Sequence, residues 1–269
     1  MDSVERLLEI MRSLRDPDSG CPWDLAQTFH TIVPHTLEEA YEVAETIERG
    51  DMAELRDELG ELLFQVVFYA QLAAEEDRFD FHGVVDAICD KLVRRHPHVF
   101  GDAAISSVQE QSHAWEAHKA GERAARAGER GEHEVSLMDG VPHALPSLSR
   151  AQKLQRRAAR AGFDWPTAGG VVDKLREELD ELQAALDAGR RDEAKVELGD
   201  LLFTCANLAR HLDADGEQLV RHATCKFEQR FRALEQRLAA SGGVAQAGAV
   251  TMDAAWEAVK ADEPDRSPK

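Results

Sequence analysis

One short phrase occurs twice in this chain, and the repetition limits the possible folds more than any other feature. The run ELGELLF at 58–64 returns at 196–203 as VELGDLLF, so that Glu58 aligns with Glu197. Three further blocks recur in the same order at nearly the same offset. They are LEEAYEV at 37–43 with REELDEL at 176–182, DKLVRR at 90–95 with CKFEQR at 225–230, and WEAHK at 115–119 with WEAVK at 256–260. Four matched blocks indicate an internal duplication, and therefore two copies of one structural unit.

The spacing of apolar residues predicts that each copy is helical. In the first copy, Thr36 followed by Glu39 matches a capping box that would open a helix through about Ile47, and Gly50 with Asp51 would end it. The 3.6-residue apolar period predicts the other helices. They are expected at about 52–74 and through VVDAICDKLVRR up to Pro97, and in the second copy at 172–188, 193–212 and 217–240. We therefore predict an all-α fold of tandem helical units with a helix-bundle architecture.

The chain is predicted to divide into four parts. These are a first repeat at 1–120, a linker at 121–136, a second repeat at 137–260 and a disordered tail at 261–269. The linker prediction rests on the run GERAARAGERGEHE, which is polar, contains glycine and has almost no large apolar residue. The tail is polar and contains proline, and it is predicted to be disordered.

Composition excludes several classes of protein. The formal net charge of −19 argues against a protein that mainly grips nucleic acid or an anionic membrane. The longest apolar run, LLFQVVFYAQLA, is too short to span a bilayer. The four cysteines are scattered without a C-x-x-C pair, which argues against a disulfide framework or a structural zinc site and favours the reducing cytoplasm.

The repeated acids predict a metal site. Glu178 and Glu181 lie three residues apart on one helix, as do Glu197 and Asp200 on the next, and a short helical hairpin would bring the two pairs together at the edge of the core. Their first-copy counterparts are Glu39, Glu42, Glu58 and Glu61. A single pair of this kind is usually a solvated surface feature. Two linked pairs that recur indicate ligands instead, because clustered carboxylates repel one another unless a cation lies among them.

Ligand chemistry narrows the choice of metal. A set made only of carboxylates suits Mg²⁺, or Mn²⁺ as a substitute, rather than zinc. A di-iron bundle would need two Glu-x-x-His motifs, and the chain has one, at Glu110 and His113, apart from the repeated acids. Because Mg²⁺ commonly binds substrate phosphates, a polyphosphate ligand is predicted. The recurring basic residues match it; they are Lys226, Arg230 and Lys260, with Lys91, Arg95 and Lys119 in the first copy.

The chain resembles the MazG family of nucleoside triphosphate pyrophosphohydrolases with two tandem domains. The resemblance runs from about residue 3 to residue 260 and rests on GCPWD, LEEAYEV with ELGELLFQVVFYAQ, RRHPHVF, AQKLQRRAARAGFDW and VELGDLLF. It implies an all-α, Mg²⁺-dependent enzyme, usually a homodimer whose helices complete one another's sites. The implied reaction is hydrolysis of a nucleoside triphosphate, NTP or dNTP, to the monophosphate and pyrophosphate, a housecleaning activity.

The resemblance also implies a role for each site residue of the second copy. Glu178, Glu181, Glu197 and Asp200 would bind the metal, and Glu177 would orient or deprotonate the attacking water. Lys226 and Arg230 would hold phosphate oxygens, and Trp256 and Lys260 would close the pocket, although Trp256 could equally be a core residue. The first copy has Glu38 and Trp115 at the corresponding positions but departs from the family pattern at Glu61, which replaces an Asp. We expect its metal site to be impaired and activity to reside mainly in the second copy.

Two other functions remain open from the sequence. One is a hydrolase restricted to a single modified nucleotide, and the other is a helical regulatory dimer that binds nucleotide with little turnover. A homodimer is expected in each case, because the predicted hairpins are apolar on more than one side, as Leu62, Leu63, Val66 and Val67 followed by Phe68 and Tyr69 show.

Overall fold

The structure is a computed structural model, and it describes residues 2–102, 107, 110, 111, 115, 121, 122, 136–239 and 242–262. The elements in these residues are helices, and no strand occurs among them, which confirms the all-α prediction. The chain divides into two compact units, Met1–Gly121 and Glu122–Lys269. The residues that the structure does not describe include Lys119, residues 123–135 of the predicted linker and residues 263–269 of the predicted tail.

The first unit is built on a helical hairpin. Its helices are α1 (Ser3–Leu14), α2 (Pro22–Ala26), α3 (Phe29–Arg49), α4 (Met52–Glu75), α5 (Phe81–Arg95) and α6 (Pro97–Phe100). Helix α3 ends at Gly50, whose φ of 72° is readily adopted by glycine, and Asp51 caps α4 by accepting from the Ala53 and Glu54 amides. Helices α3 and α4 pack together along their lengths, and α1 and α5 pack against α4. The core of this unit includes Met11, Ile32 and Phe68.

The second unit repeats the hairpin. Its helices are α7 (Ser147–Arg160), α8 (Ala168–Asp187), α9 (Arg191–His211), α10 (Gly216–Leu238) and α11 (Ala249–Ala261), with a 3₁₀ turn at Val244–Gln246. Gly189, with φ of 70°, lies in the connection between α8 and α9. Helix α9 packs along α8 and also contacts α7, while α10 packs with α11 around a cluster that includes Leu234, Leu238 and Val259.

The predicted start of α3 was wrong. The helix begins at Phe29 rather than Thr36, because Thr28 and Thr31 form the capping box through reciprocal side-chain bonds to each other's backbone amides. Thr36 lies inside the helix. Its hydroxyl lies 3.2 Å from the Ile32 carbonyl oxygen, to which it donates, and 2.9 Å from the Tyr69 hydroxyl. A Thr followed three residues later by Glu is therefore no cap here, because the hydroxyl already has these partners.

The other predicted helices are present, with small differences at their ends. Helix α8 begins at Ala168, four residues before the predicted start, since Gly169 and Gly170 fit within its first turn. Ala261, assigned from sequence to the tail, instead ends α11. In the described residues, no helix has the length and apolar character needed to cross a membrane.

Candidate active site

The second unit brings three of the predicted metal ligands together. Carboxylate oxygens of Glu178 on α8 and of Glu197 and Asp200 on α9 lie within 4.8 Å of one another. Glu178 is buried, Glu197 is half-buried and Asp200 is exposed, so the cluster runs from the hairpin interior to the surface. We refer to these three residues as the acid cluster. Their placement follows from the hairpin, because residues three or four apart share a helix face and the two faces oppose each other.

Two other predicted residues lie beside the acid cluster. Glu181 is outside the set of three. The pKa of Glu197 is raised most by burial and next by the charge of Glu181, and the charges of Glu178 and Asp200 raise it further. Glu177 is exposed and lies 2.6 Å from Lys174 Nζ through its Oε1. Burial and like charge thus act together to disfavour the ionised form of Glu197.

Lys174 contacts the acid cluster directly. Its Nζ lies 2.8 Å from Oε1 of Glu178, whose side chain is only 6% exposed. Hydrogen bonds to Glu177 and then to Glu178 raise the pKa of Lys174, so it is charged at neutral pH. Sequence reasoning missed this residue, although its position four residues before Glu178 on one helix could have indicated the contact.

The first unit has a similar but not identical cluster. Carboxylate oxygens of Glu39, Glu42 and Glu58 lie within 4.8 Å of one another. Glu61, which replaces the Asp of the second unit, is exposed and outside this set. Burial is the main cause of the raised pKa of both Glu39 and Glu58, and the charge of Glu61 adds to it. Glu38 is exposed and pairs at 3.7 Å with Nδ1 of His35. Each unit thus clusters three of its four predicted acids; the first unit leaves out Glu61, and the second leaves out Glu181.

The predicted phosphate-binding residues of the second unit lie on α10 and α11. Lys226 is exposed and Arg230 is half-buried on α10. Trp256 is partly buried, packs against the core cluster of Leu234, Leu238 and Val259, and lies with its ring 5.5 Å from that of Phe227. Lys260 is exposed and lies 2.8 Å from Glu257 of its own helix. The side chain of Trp256 therefore contributes to packing, as the core interpretation of this residue expects.

Three first-unit counterparts of these residues can also be located. Lys91 and Arg95 are half-buried on α5, and Trp115 is half-buried with its ring 5.6 Å from that of His96. Lys119 lies outside the described residues. Lys91 and Arg95 thus lie on one helix, α5, as their counterparts Lys226 and Arg230 lie on α10.

Sequence reasoning also missed a cavity next to the acid cluster. The cavity has a volume of about 340 Å³. It lies among α7, α9 and the loop between α7 and α8, and its lining includes Leu154, Gln155, Phe163, Trp165, Phe203 and Asn207. Phe203 and Asn207 follow Asp200 by three and seven residues on α9, so the cavity and the cluster occupy successive turns of one helix face. We refer to this cavity as the aromatic pocket.

Gln155, which lines the aromatic pocket, also has a buried side-chain oxygen. Its Nε2 donates to the Phe203 carbonyl oxygen at 2.8 Å, but its Oε1 is buried and accepts no hydrogen bond from the part of the chain that the structure describes. Gln155 as a whole is 8% exposed. A buried acceptor left unpaired costs free energy.

Two contacts hold the loop that carries Phe163 and Trp165. Asp164 accepts from Arg210 and lies 3.1 Å from Nε2 of His211; burial alone would raise its pKa, but these hydrogen bonds lower it. Trp165 packs over the start of α8, where a Cβ on Gly170 would fall 2.8 Å from its Cδ1. The tryptophan can occupy this position because residue 170 has no side chain.

The acid cluster has the chemistry of a site for a hard divalent cation. Its donors are all carboxylate oxygens, it mixes buried and exposed members, and burial together with like charge raises the pKa of Glu197. Mg²⁺ and Mn²⁺ prefer such ligands and keep part of their shell for water or phosphate. The residues present therefore fit such an ion in the second unit, and the three acids of the first unit have the same donor chemistry.

Comparisons with known proteins identify the family. The model of the MazG nucleotide pyrophosphohydrolase domain matches residues 27–100 and 168–234. The chain is 51% identical to the nucleoside triphosphate pyrophosphohydrolase of Escherichia coli, over 98% of this chain and all of that protein. It is 39% identical to the nucleoside triphosphate pyrophosphohydrolase/pyrophosphatase MazG of Thermotoga maritima, over 95% of each chain. The duplicated helical units and these matches show that the chain belongs to the MazG family.

Proposed function

We propose that this protein is a Mg²⁺-dependent nucleoside triphosphate pyrophosphohydrolase, which converts an NTP or dNTP and water to the monophosphate and pyrophosphate. The observation that carries the proposal is the adjacency of the acid cluster and the aromatic pocket on α9, since a nucleotide needs one site for its phosphates and another for its base. The names of the E. coli and T. maritima relatives support it.

The second unit supplies the residues for this reaction. Glu178, Glu197 and Asp200, with Glu181 beside them, would hold Mg²⁺, which when bound would offset phosphate charge and lower the pKa of a bound water. Glu177, exposed next to the cluster, would accept the proton of the attacking water. Lys226 and Arg230 would neutralise phosphate oxygens, and Lys260 would add a third positive charge. The products follow from addition of water across the anhydride between the α- and β-phosphates.

The aromatic pocket would receive the nucleoside. Phe163, Trp165 and Phe203 provide apolar faces for a base, and Gln155 and Asn207 add polar side chains to the lining. A base on aromatic side chains gains stacking energy whatever its identity. The pocket thus supports a nucleotide substrate in particular, rather than any polyphosphate.

The first unit has a larger, apolar side chain at one position of the pocket lining, and this favours the second unit as the active one. At the position that matches Asn207, the first unit has Phe68, which is fully buried. Phe68 packs with Met11 of α1, Ile32 of α3 and Val67, so apolar side chains fill the corresponding space. The first unit would then serve the fold and the assembly of a homodimer more than turnover.

A panel of NTPs and dNTPs, assayed for pyrophosphate release with and without Mg²⁺, tests the proposed function. Release from many nucleotides that stops in EDTA is the expected result. Release from one modified nucleotide alone would indicate a restricted hydrolase, and binding without release would indicate a regulatory nucleotide-binding protein; either would contradict the proposal.

The four free thiols are consistent with activity in a reducing cytoplasm.

Asn207→Phe tests the pocket separately, because it places the first unit's residue in the second unit. We expect KM for ATP to rise at least about tenfold, since the ring would fill the space for the base. The variant should keep its thermal stabilisation by Mg²⁺, which shows that the acid cluster is still folded. An unchanged KM would remove the pocket from the proposal.

A further inference from the structure

The contact between Lys174 and Glu178 places a cation of the protein at the proposed metal site. Glu178 is the most buried member of the acid cluster, and Lys174 Nζ lies 2.8 Å from its Oε1 and 2.6 Å from Oε1 of Glu177. A buried carboxylate without a counter-ion is strongly unfavourable. Lys174 therefore supplies the positive charge that Glu178 requires when no metal is bound.

The first unit lacks this arrangement at the matching position. His35 aligns with Lys174, and it pairs at 3.7 Å with Glu38, the counterpart of Glu177. Its ring also lies 5.7 Å from that of Trp23. Glu39, the counterpart of Glu178, is less buried than Glu178, and burial is the largest cause of its raised pKa. The lysine thus accompanies the more deeply buried carboxylate and the unit with the open aromatic pocket.

We propose that Lys174 is a positioning residue that occupies Glu178 in the metal-free protein and releases it when a divalent cation binds. This inference rests on the proposed function, because it takes the acid cluster as the metal site. The four-carbon side chain of lysine carries a single mobile charge, so it can leave the carboxylate without disturbing α8. A divalent ion brings twice that charge to the same oxygens and displaces it.

The ammonium group of Lys174 should therefore stabilise the metal-free protein and lower its affinity for the metal ion. Without metal, the ammonium keeps Glu178 and Glu177 in their places and limits the repulsion inside the cluster. With metal, the ion must compete with the ammonium for Glu178, which weakens its apparent binding. Removal of the ammonium should therefore make the metal-free protein less stable and the binding of metal tighter, and a plain surface ion pair would produce neither effect.

Lys174→Met, tested in parallel with wild type, separates these outcomes. Calorimetry with Mg²⁺ alone should show binding about fivefold tighter in the variant. The Tm of the variant in EDTA should be lower than that of the wild type, and the increase in Tm on adding Mg²⁺ should be larger. Lys174→Arg, which keeps the charge, should restore Tm in EDTA. Lys195→Met is the matched control, because Lys195 lies two residues before Glu197 on α9 but pairs with Asp192, whose side chain is 95% exposed. The Mg²⁺ affinity of this variant should change less than about twofold.

The opposite results would overturn the inference. Weaker or unchanged Mg²⁺ binding in Lys174→Met, or an unchanged Tm in EDTA, would show that Lys174 does not compete for Glu178. The proposed function would remain intact in that case, provided that the wild type binds Mg²⁺. If the wild type bound no Mg²⁺ in the presence or absence of a non-hydrolysable nucleotide, the proposed function and this inference would both be wrong.

Discussion

Arg15 and Glu75 form a two-point ion pair in the first unit. Nε of the guanidinium lies 2.8 Å from Oε1 of the carboxylate, and Nη2 lies 2.6 Å from Oε2. Arg15 is 9% exposed, lies over the ring of Phe68 and donates to the Asp24 carbonyl, so it connects α1, α2 and α4. Hydrogen bonds from Arg15 are the main reason that the pKa of Glu75 is lowered.

Glu75→Gln should destabilise the first unit by about 2 kcal/mol at pH 7, because it leaves the buried guanidinium without its charged partner. Since the folded pKa lies below the ordinary value of 4.5, the stabilisation is present above pH 4.5 and is lost as the pH falls through the folded pKa. Urea denaturation should show the deficit shrinking below that pH. Glu76→Gln, which removes an exposed pair with Arg78, is the control and should change little. A deficit independent of pH would rule out the ion pair as its cause.

Asp200→Asn should change stability in opposite ways with and without metal. In EDTA the variant should melt at or above the wild-type Tm, because the substitution relieves repulsion with Glu197. It should gain much less from Mg²⁺ with a non-hydrolysable NTP analogue, since a charged ligand is gone. Asp192→Asn on the same helix is the control and should respond to Mg²⁺ as the wild type does. A variant that loses stability in EDTA and responds fully to Mg²⁺ would exclude Asp200 from the metal site.

The two units should differ in their importance for activity. Glu197→Gln should reduce pyrophosphate release by at least about a hundredfold, because the loss of a charged ligand weakens metal-assisted catalysis. The matched change in the first unit, Glu58→Gln, should reduce it less than about threefold. Steady-state assays at saturating Mg²⁺ make the comparison. If Glu58→Gln were the inactivating change and Glu197→Gln the mild one, the units would have been assigned in reverse.

Gly170→Ala should disturb the aromatic pocket, because the added Cβ would fall 2.8 Å from Cδ1 of Trp165 and force the indole to move. We expect a rise in KM for NTP of about threefold to tenfold, together with a change in tryptophan fluorescence. Gly169→Ala is the matched control, since its Cβ would meet only the Thr167 hydroxyl, at 3.4 Å. Equal effects from both substitutions would point to the helix start rather than to Trp165.

The protein should be a homodimer in solution. An apolar stripe of Leu59 and Leu63 is exposed on α4, and the matching Leu198 and Leu202 are exposed on α9. Stripes of this kind on helices commonly pack against another chain. Light scattering at micromolar concentration should give twice the chain mass of 29.8 kDa. The mass of a single chain would contradict the expectation, and Leu63→Glu should shift a dimer toward that mass.

Much of the fold and of the acid cluster could be predicted from the sequence, because the signals are local and repeated. The apolar period of LLFQVVFYAQLA sets which face of α4 is buried, and the breaks at Gly50 and Gly189 fix the hairpins. Residues three apart on each helix must share a face, so the convergence of Glu178 with Glu197 and Asp200 followed from spacing and a short connection. The repetition then separated these acids from ordinary surface charges.

Tertiary structure decided the features that depend on residues far apart in sequence. The hydroxyl of Thr36, inside α3, contacts that of Tyr69 on α4, a pairing that local sequence does not indicate. The aromatic pocket needs Gln155, Trp165 and Phe203 from three separate segments, and whether such a space is open or filled depends on side-chain volumes on both sides, as Phe68 shows in the first unit. Sequence by itself determined the helices, the duplication and the acids, since these follow from local periodicity. Only packing determined where the aromatic pocket opens in the second unit.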